Sequence, residues 1–146
     1  MREVRVREAQ AEDAAQMAMI SGEAMTSAWK EDDFLGALSN PQAKVWVAEE
    51  KNVLGYCVLY YAADEGEIPS IAVDAGARGC GIGRALMTAL VAECRQTGID
   101  RLFLEVRCSN EAAHRLYERF GFLVAGTRRN FYNHPVEDAD VMVASL

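Results

Sequence analysis

The sequence predicts an α/β fold: a three-layer sandwich in which helices cover both faces of one mixed sheet. Three observations lead there. Two strand-like stretches, Lys44 to Glu49 and Val53 to Tyr61, are joined by the tight polar turn Glu50, Lys51 and Asn52, which marks an antiparallel hairpin. A short apolar strand, Ile71 to Val73, runs through a glycine-rich turn into a helix and on to Leu102 to Val106. A right-handed crossover of that kind lays its two strands parallel. A further helix and two closing strands complete the alternation. The 146 residues suit one domain, 1–146, that buries about two-thirds of its unfolded surface.

Taken in order, Val4 and Val6 alternate with Arg5 and Arg7, as in a strand with one wet face. Glu12 to Met25 carries Ala14, Met17, Ala18 and Met25 at helical spacing, with Glu12 and Asp13 well placed in the first turn. Its methionines read as core, though soft side chains also suit an adaptable wall. A shorter helix fits Glu31 to Leu38, ended by Ser39-Asn40-Pro41, with Trp29 and Phe34 flanking the link between the helices. After the hairpin, Glu65 to Val73 forms a third antiparallel strand. Pro69 inside it cannot donate a ladder hydrogen bond, which predicts an edge, a bend or a bulge. The crossover helix places Ile82, Leu86, Ala89 and Leu90 on one face and ends at Thr97-Gly98, where glycine suits a left-handed cap. Ser109 or Asn110 caps the last helix, which runs to Phe120 with Ala113, Leu116, Tyr117 and Phe120 on one face. Phe122 to Arg128 and Asp140 to Ala144 are the closing strands, with Phe131, Tyr132, Asn133 and His134 in a long loop between them.

Composition narrows the function classes. A hydrophobic content of 51% with 25% charged residues is ordinary for a globular chain. The net charge of −7 argues against nucleic acid, whose phosphates demand a basic surface, and suits a cationic acceptor such as an amine or a basic peptide. Cys57, Cys80, Cys94 and Cys108 form no C-x-x-C pair, and His114 and His134 lie at no ligand spacing, so no metal site is expected. No apolar run approaches membrane-spanning length, and the amino terminus lacks a signal peptide's hydrophobic stretch. A soluble, cytoplasmic protein with reduced thiols is expected. The sequence sets no oligomeric state.

The loop before the crossover helix is the first candidate site. Gly79, Gly81 and Gly83 run into the helix, and Arg78 and Arg84 bracket the loop with positive charge. Backbone amides at a helix start favour an anion, and a phosphate is the simplest one. A P-loop would need Gly-Lys-Ser or Gly-Lys-Thr, which is absent. A dinucleotide fingerprint would start at Gly79 and Gly81 but meets Arg84 where its third glycine belongs, with Asp74 to Arg78 separating strand and loop. Arg78-x-x-Gly81-x-Gly83 remains, alongside the plain alternative of a turn that binds nothing. The second candidate pairs Glu105, a carboxylate in a strand of Leu, Phe and Val, with Tyr117 on the apolar face of the next helix. Each has an ordinary explanation: a wet strand face or a pairing with Arg107 for the glutamate, a core position for the tyrosine.

Together these motifs resemble a known family. Arg78-x-x-Gly81-x-Gly83 is similar to the pyrophosphate signature of the GNAT family of N-acetyltransferases. The run LEVRCSNEAAHRLYERFGF, 104–122, resembles that of the RimI branch, the bacterial ribosomal-protein-alanine N-acetyltransferases. IAVDAGARGCGIGRAL, Ala28-Trp29 and Glu137-Asp138-Ala139 extend the likeness over nearly the whole chain. The resemblance implies the GNAT fold, with acetyl-CoA as cosubstrate and a protein or peptide amino terminus, that of a ribosomal protein, as acceptor. It needs neither a metal nor a membrane partner. Ile71, Ala72 and Val73 would pair with the pantetheine arm, and the amides of Gly79, Cys80, Gly81, Ile82, Gly83 and Arg84 would hold the pyrophosphate beside Arg78. Asn110 would contact the cosubstrate. Glu105 matches the general base and Tyr117 the general acid. The incoming peptide would pass between Trp29 and Phe34 on one side and Tyr132 on the other, with Glu67 orienting its amine. Ser70 stands where many relatives have asparagine, and Cys80 where arginine or lysine is common. Rival readings are a GNAT enzyme acting on another protein terminus, a lysine or a small amine, and a non-catalytic acetyl-CoA-binding module.

Overall fold

The structure, a computed structural model, describes residues 3–25 and 28–146. Seven strands form one sheet: β1 (Arg5–Glu8), β2 (Ala43–Glu49), β3 (Val53–Ala62), β4 (Glu65–Val73), β5 (Arg101–Arg107), β6 (Leu123–Tyr132) and β7 (Glu137–Ser145), in the order β1-β2-β3-β4-β5-β7-β6. Every neighbouring pair is antiparallel except β4 and β5, the parallel pair that the crossover predicts. Helices α1 (Ala14–Ala24) and α2 (Glu31–Ser39) cover one face; α3 (Ile82–Thr97) and α4 (Glu111–Glu118) cover the other. Gly98 caps α3 at φ 82°, the left-handed value its position demands.

Two cores result. Ile82, Leu86 and Leu90 of α3 pack with Leu102, Leu104 and Val106 of β5 and with Tyr117 and Phe122. On the other face Met17 and Ile20 of α1 and Phe34 of α2 close over Val47, Tyr56 and Val58. Cys57 and Cys94 are buried thiols, as small core side chains should be.

Pro69 produces the expected bulge. Val58 pairs with Ser70 and Tyr60 with Glu67, so Ile68 and Pro69 together face Leu59. The extra residue switches the faces of β4. Ile68 enters the α3 core, whereas Ala72 enters the α1–α2 core and the Ser70 hydroxyl meets the buried Tyr56 hydroxyl at 2.7 Å.

One expectation is corrected. Phe131 and Tyr132 are not in a long loop: β6 runs on to Tyr132, which pairs with Glu137, and only residues 133–136 turn. From Leu123 to Phe131 the strand is exposed throughout, so it lacks the apolar alternation by which a strand is read from sequence. The β7 ladder holds it instead.

Candidate active site

The parallel pair is short. Glu65, Gly66 and Glu67 pair with Arg101, Leu102 and Phe103, and there the pairing stops. Beyond Glu67, β4 follows β3 and β5 follows β7, so Ile71, Ala72 and Val73 present backbone with no β5 partner. A strand edge of that kind binds an extended, amide-bearing ligand by main-chain hydrogen bonds.

At the end of this edge, the Asp74 carboxylate accepts from the Gly76 amide at 3.1 Å, and a single turn, Ala75–Ala77, leads to the glycine loop. Gly79 and Gly81 take φ of 78° and 79°. A Cβ at either would meet nothing within 4 Å. Glycine is therefore required here by backbone conformation and not by crowding. No side chain caps α3, so its first amides stay available to an anion. Arg78, Cys80 and Arg84 are exposed around them, and Gly83 sits in the first helical turn. Ile82 contributes only its amide, because its side chain is sealed in the core. Asn110 caps α4, its Oδ1 accepting from the Ala113 amide at 3.1 Å, and its side chain is exposed.

The other side of the fork carries the titratable groups. Leu102, Leu104 and Val106 point into the α3 core, so Phe103, Glu105 and Arg107 project from the opposite face. Glu67 shares that face. Burial raises its pKa, the Glu105 charge raises it further, and Arg128 opposes both. Glu105 is half-buried, with Arg128 Nε 3.7 Å from its Oε1. Arg107, the partner offered by sequence, pairs with Glu137 at 3.2 Å instead. The Tyr132 hydroxyl is pushed up to about 12, by burial first and then by Glu105, with Arg107 opposing.

Tyr117 arrives from the α4 side. It is 6% exposed, its ring 5.8 Å from that of Phe122. Burial pushes its hydroxyl far above the ordinary range, and Tyr132 is the next contributor. Among the described residues no fully buried side-chain polar atom lacks a partner. The charge of Glu105 thus acts on Tyr132, and Tyr132 in turn acts on Tyr117.

On the far wall Trp29 lies over Phe34 at 5.2 Å and Tyr60 at 6.1 Å, and its amide donates to Ser21 Oγ at 2.8 Å. Phe34 itself is fully buried, edge-on to Tyr56. It supports Trp29 and cannot line an open surface, because the helical spacing that brought it near the link also turns it inward. A groove bounded by Gln42, Tyr60, Tyr61, Glu65 and Phe103 continues from Glu67. Arg128, Tyr60 and Phe103 escaped the sequence reading. Each reaches the site through strand register, which no local motif reports.

Comparison with known proteins decides the family. The model of the acetyltransferase (GNAT) family matches residues 7–122. The chain belongs to that family. An Escherichia coli ribosomal protein bS18-alanine N-acetyltransferase is 34% identical over 118 residues, 81% of this chain and 80% of its own. A Bacillus subtilis protein provisionally given the same name is 37% identical over 143 residues, 97% of this chain and 95% of its own. The crystal structure of the Escherichia coli ribosomal-protein-S18-alanine N-acetyltransferase superposes with a TM-score of 0.90 at 29% identity, covering 98% of this chain and 94% of that one. This GNAT enzyme keeps the open edge, the glycine loop, Glu105 and Tyr117 inside the matched segment. Arg128 and Tyr132 lie beyond it.

Proposed function

We propose that this enzyme, read as one GNAT domain over 1–146, transfers acetyl from acetyl-CoA to the N-terminal α-amine of a protein, in the first instance the alanine of ribosomal protein bS18. It does so in the cytoplasm. The observation that carries the reading is the fork itself. An open strand edge leads to uncapped helix amides on one side, and two carboxylates and Tyr132 stand on the other. The relatives named above supply the acceptor.

The chain's groups divide the work. The edge at Ile71–Val73 holds the pantetheine amides in line, and the amides at Gly79–Arg84 with Arg78 take the pyrophosphate charge. Asn110 adds a side-chain contact from α4. Glu67, Trp29 and Tyr132 bound the path of the acceptor's amino terminus. An α-amine titrates near 7.7–8.0, so Glu105 needs to remove only one proton, directly or through a water, to free the nucleophile. As the N–C bond forms, the backbone amide near Val73 faces the charge developing on the acetyl oxygen. The C–S bond breaks, Tyr117 gives its proton to the departing thiolate, and the second proton that the nitrogen sheds as the amide forms restores the Tyr117 phenol. A tyrosine with its pKa raised by burial stays protonated until that moment.

The test is mass spectrometry of a peptide panel incubated with enzyme and acetyl-CoA. It compares alanine-starting peptides, the same peptides with blocked termini and free lysines, and polyamines. Acetylation confined to free termini is the expected result. Acetylated lysines or polyamines would keep the chemistry and discard the acceptor. Binding of acetyl-CoA with no transfer to any amine would leave a binding module.

A further inference from the structure

We propose that Arg107 is a positioning residue for the acceptor: its guanidinium locks the β6–β7 turn, and with it Tyr132, over the half of the site that receives the amine. The inference rests on the acetyl-transfer reading above and adds a residue that touches neither substrate.

The turn has little of its own to hold it. Residues 133–136 are all exposed, Val136 by 64%, so no apolar side chain anchors them. Arg107 reaches across from β5 and engages the turn and its flanks in four ways. Nη1 donates to the Pro135 carbonyl at 3.1 Å and to Glu137 Oε1 at 3.2 Å, Nη2 donates to the Asn133 carbonyl at 3.2 Å, and the guanidinium carbon lies 4.4 Å from the centre of the Tyr132 ring. The fork geometry is what allows two carbonyls, a carboxylate and an aromatic face to be met at once; a lysine's point charge could not do so. The hold extends further. Glu137 Oε2 accepts from the Ser109 amide at 2.7 Å, and the Arg107 carbonyl accepts from the Asn110 amide at 3.0 Å. One residue therefore ties the acceptor turn to the strand that carries Glu105 and to the start of α4.

Because Arg107 acts through Tyr132 and the turn, its loss should fall on the acceptor. Steady-state kinetics with an alanine-starting peptide at saturating acetyl-CoA, together with calorimetric acetyl-CoA binding, separate the two substrates. In Arg107→Met the peptide KM is expected to rise about tenfold or more, since misplacement by an ångström is enough for a large loss, while acetyl-CoA affinity holds. Arg107→Lys should rescue little of it. In a double variant with Tyr132→Ala, the peptide KM should be no worse than in Tyr132→Ala alone. An unchanged peptide KM, an equal loss of acetyl-CoA affinity, or additive effects in the double variant would each overturn the proposal. Should Arg107→Met not fold, Arg107→Lys and Glu137→Gln carry the same comparison, and wild-type peptide KM in both would overturn it equally. A wild-type enzyme inactive on every amine refutes the acetyl-transfer reading. An active one indifferent to Arg107 refutes only the positioning role.

Discussion

Replacing Gly81 gives the sharpest test of the anion loop. Its φ of 79° lies in the left-handed region, and a Cβ there would meet nothing within 4 Å. Crowding contributes nothing, so only the backbone term remains: roughly 1–2 kcal/mol for an L-residue other than asparagine or aspartate. For a chain of 146 residues that corresponds to a fall in Tm of about 2–8 °C. The strain has two outlets. If Gly81→Ala keeps the left-handed turn, the amides of α3 stay outward and the loss appears in Tm. If the loop relaxes to negative φ, Tm recovers, the amides rotate, and acetyl-CoA binding weakens. Scanning calorimetry and titration calorimetry on the same samples read both. Gly81→Asn, which tolerates this region, should lose least, and Gly81→Val most. An alanine variant unchanged in both Tm and acetyl-CoA affinity would refute the reasoning, as would an asparagine variant worse than valine.

Four further outcomes follow from the same structure. Gly55→Ala introduces a Cβ 3.0 Å from the Ala72 carbonyl oxygen and 3.0 Å from Ile82 Cγ2, where α3 starts; urea unfolding should show a loss of about 1–3 kcal/mol. Gly22→Ala, with no neighbour within 4 Å on α1, should instead gain about 0.5–1 kcal/mol. Glu105→Gln and Tyr117→Phe should each lower turnover by roughly 10²-fold or more with acetyl-CoA affinity retained, and unchanged turnover in both would remove their assigned roles. His114 gives the pH dependence. Its ring nitrogens face the Asn110 carbonyl at 2.7 Å and Asp140 at 2.9 Å, an arrangement only the imidazolium fills, and its pKa rises from 6.5 through the Asn110 carbonyl first and then Asp140, with Glu118 adding. A raised folded pKa means stability fully present below about 6.5 and lost as pH climbs through the folded value. Wild type should therefore lose Tm above pH 6.5 relative to His114→Gln, and parallel Tm curves would contradict this.

What could be read beforehand was chemistry with a local cause. Glycines before a helix, a proline in a strand and a carboxylate among apolar residues each carry their physics within a few positions. The loop, the bulge and Glu105 were therefore legible. The partner of Glu105 was not. Arg107 stands two residues away on the same face and looked the natural choice, but its guanidinium reaches the β6–β7 turn. Arg128 takes its place because β6 pairs with β7 in a register that sets Arg128 opposite Ala139. That pairing runs through an exposed strand with no apolar signature, and the contact it gives Arg128 with Glu105 is distant in sequence. Phe34 was misplaced for the opposite reason. Proximity to Trp29 in sequence suggested a shared wall, whereas α2 turns Phe34 inward, where it supports the half-buried Trp29 just before the helix.

The position of the fork also explains why the two halves of the site differ in legibility. The side proposed for the cosubstrate is made of one strand and the start of one helix, contiguous from Ile71 to Arg84. The side proposed for the acceptor is assembled from β4, β5 and β6, brought together by β7. Pro69 separates the two. It has no amide hydrogen to offer, it lies just past the last β4–β5 pair at Glu67, and its bulge turns Ser70 and Ala72 toward the α1–α2 core. From there β4 is held by β3 alone. The opposite arm stays bound to β7 along its whole length, from Arg101 opposite Ser145 to Arg107 opposite Ala139. Glu105 sits on this arm two residues beyond Phe103, the partner of Glu67. A base placed there stands at the mouth of the gap and on a rigid ladder, which is where a nucleophile must be met if the thioester lies along the opposite edge. The separation of the arms is thus set by a missing donor and one extra residue, and the proposed base stands two residues from the fork.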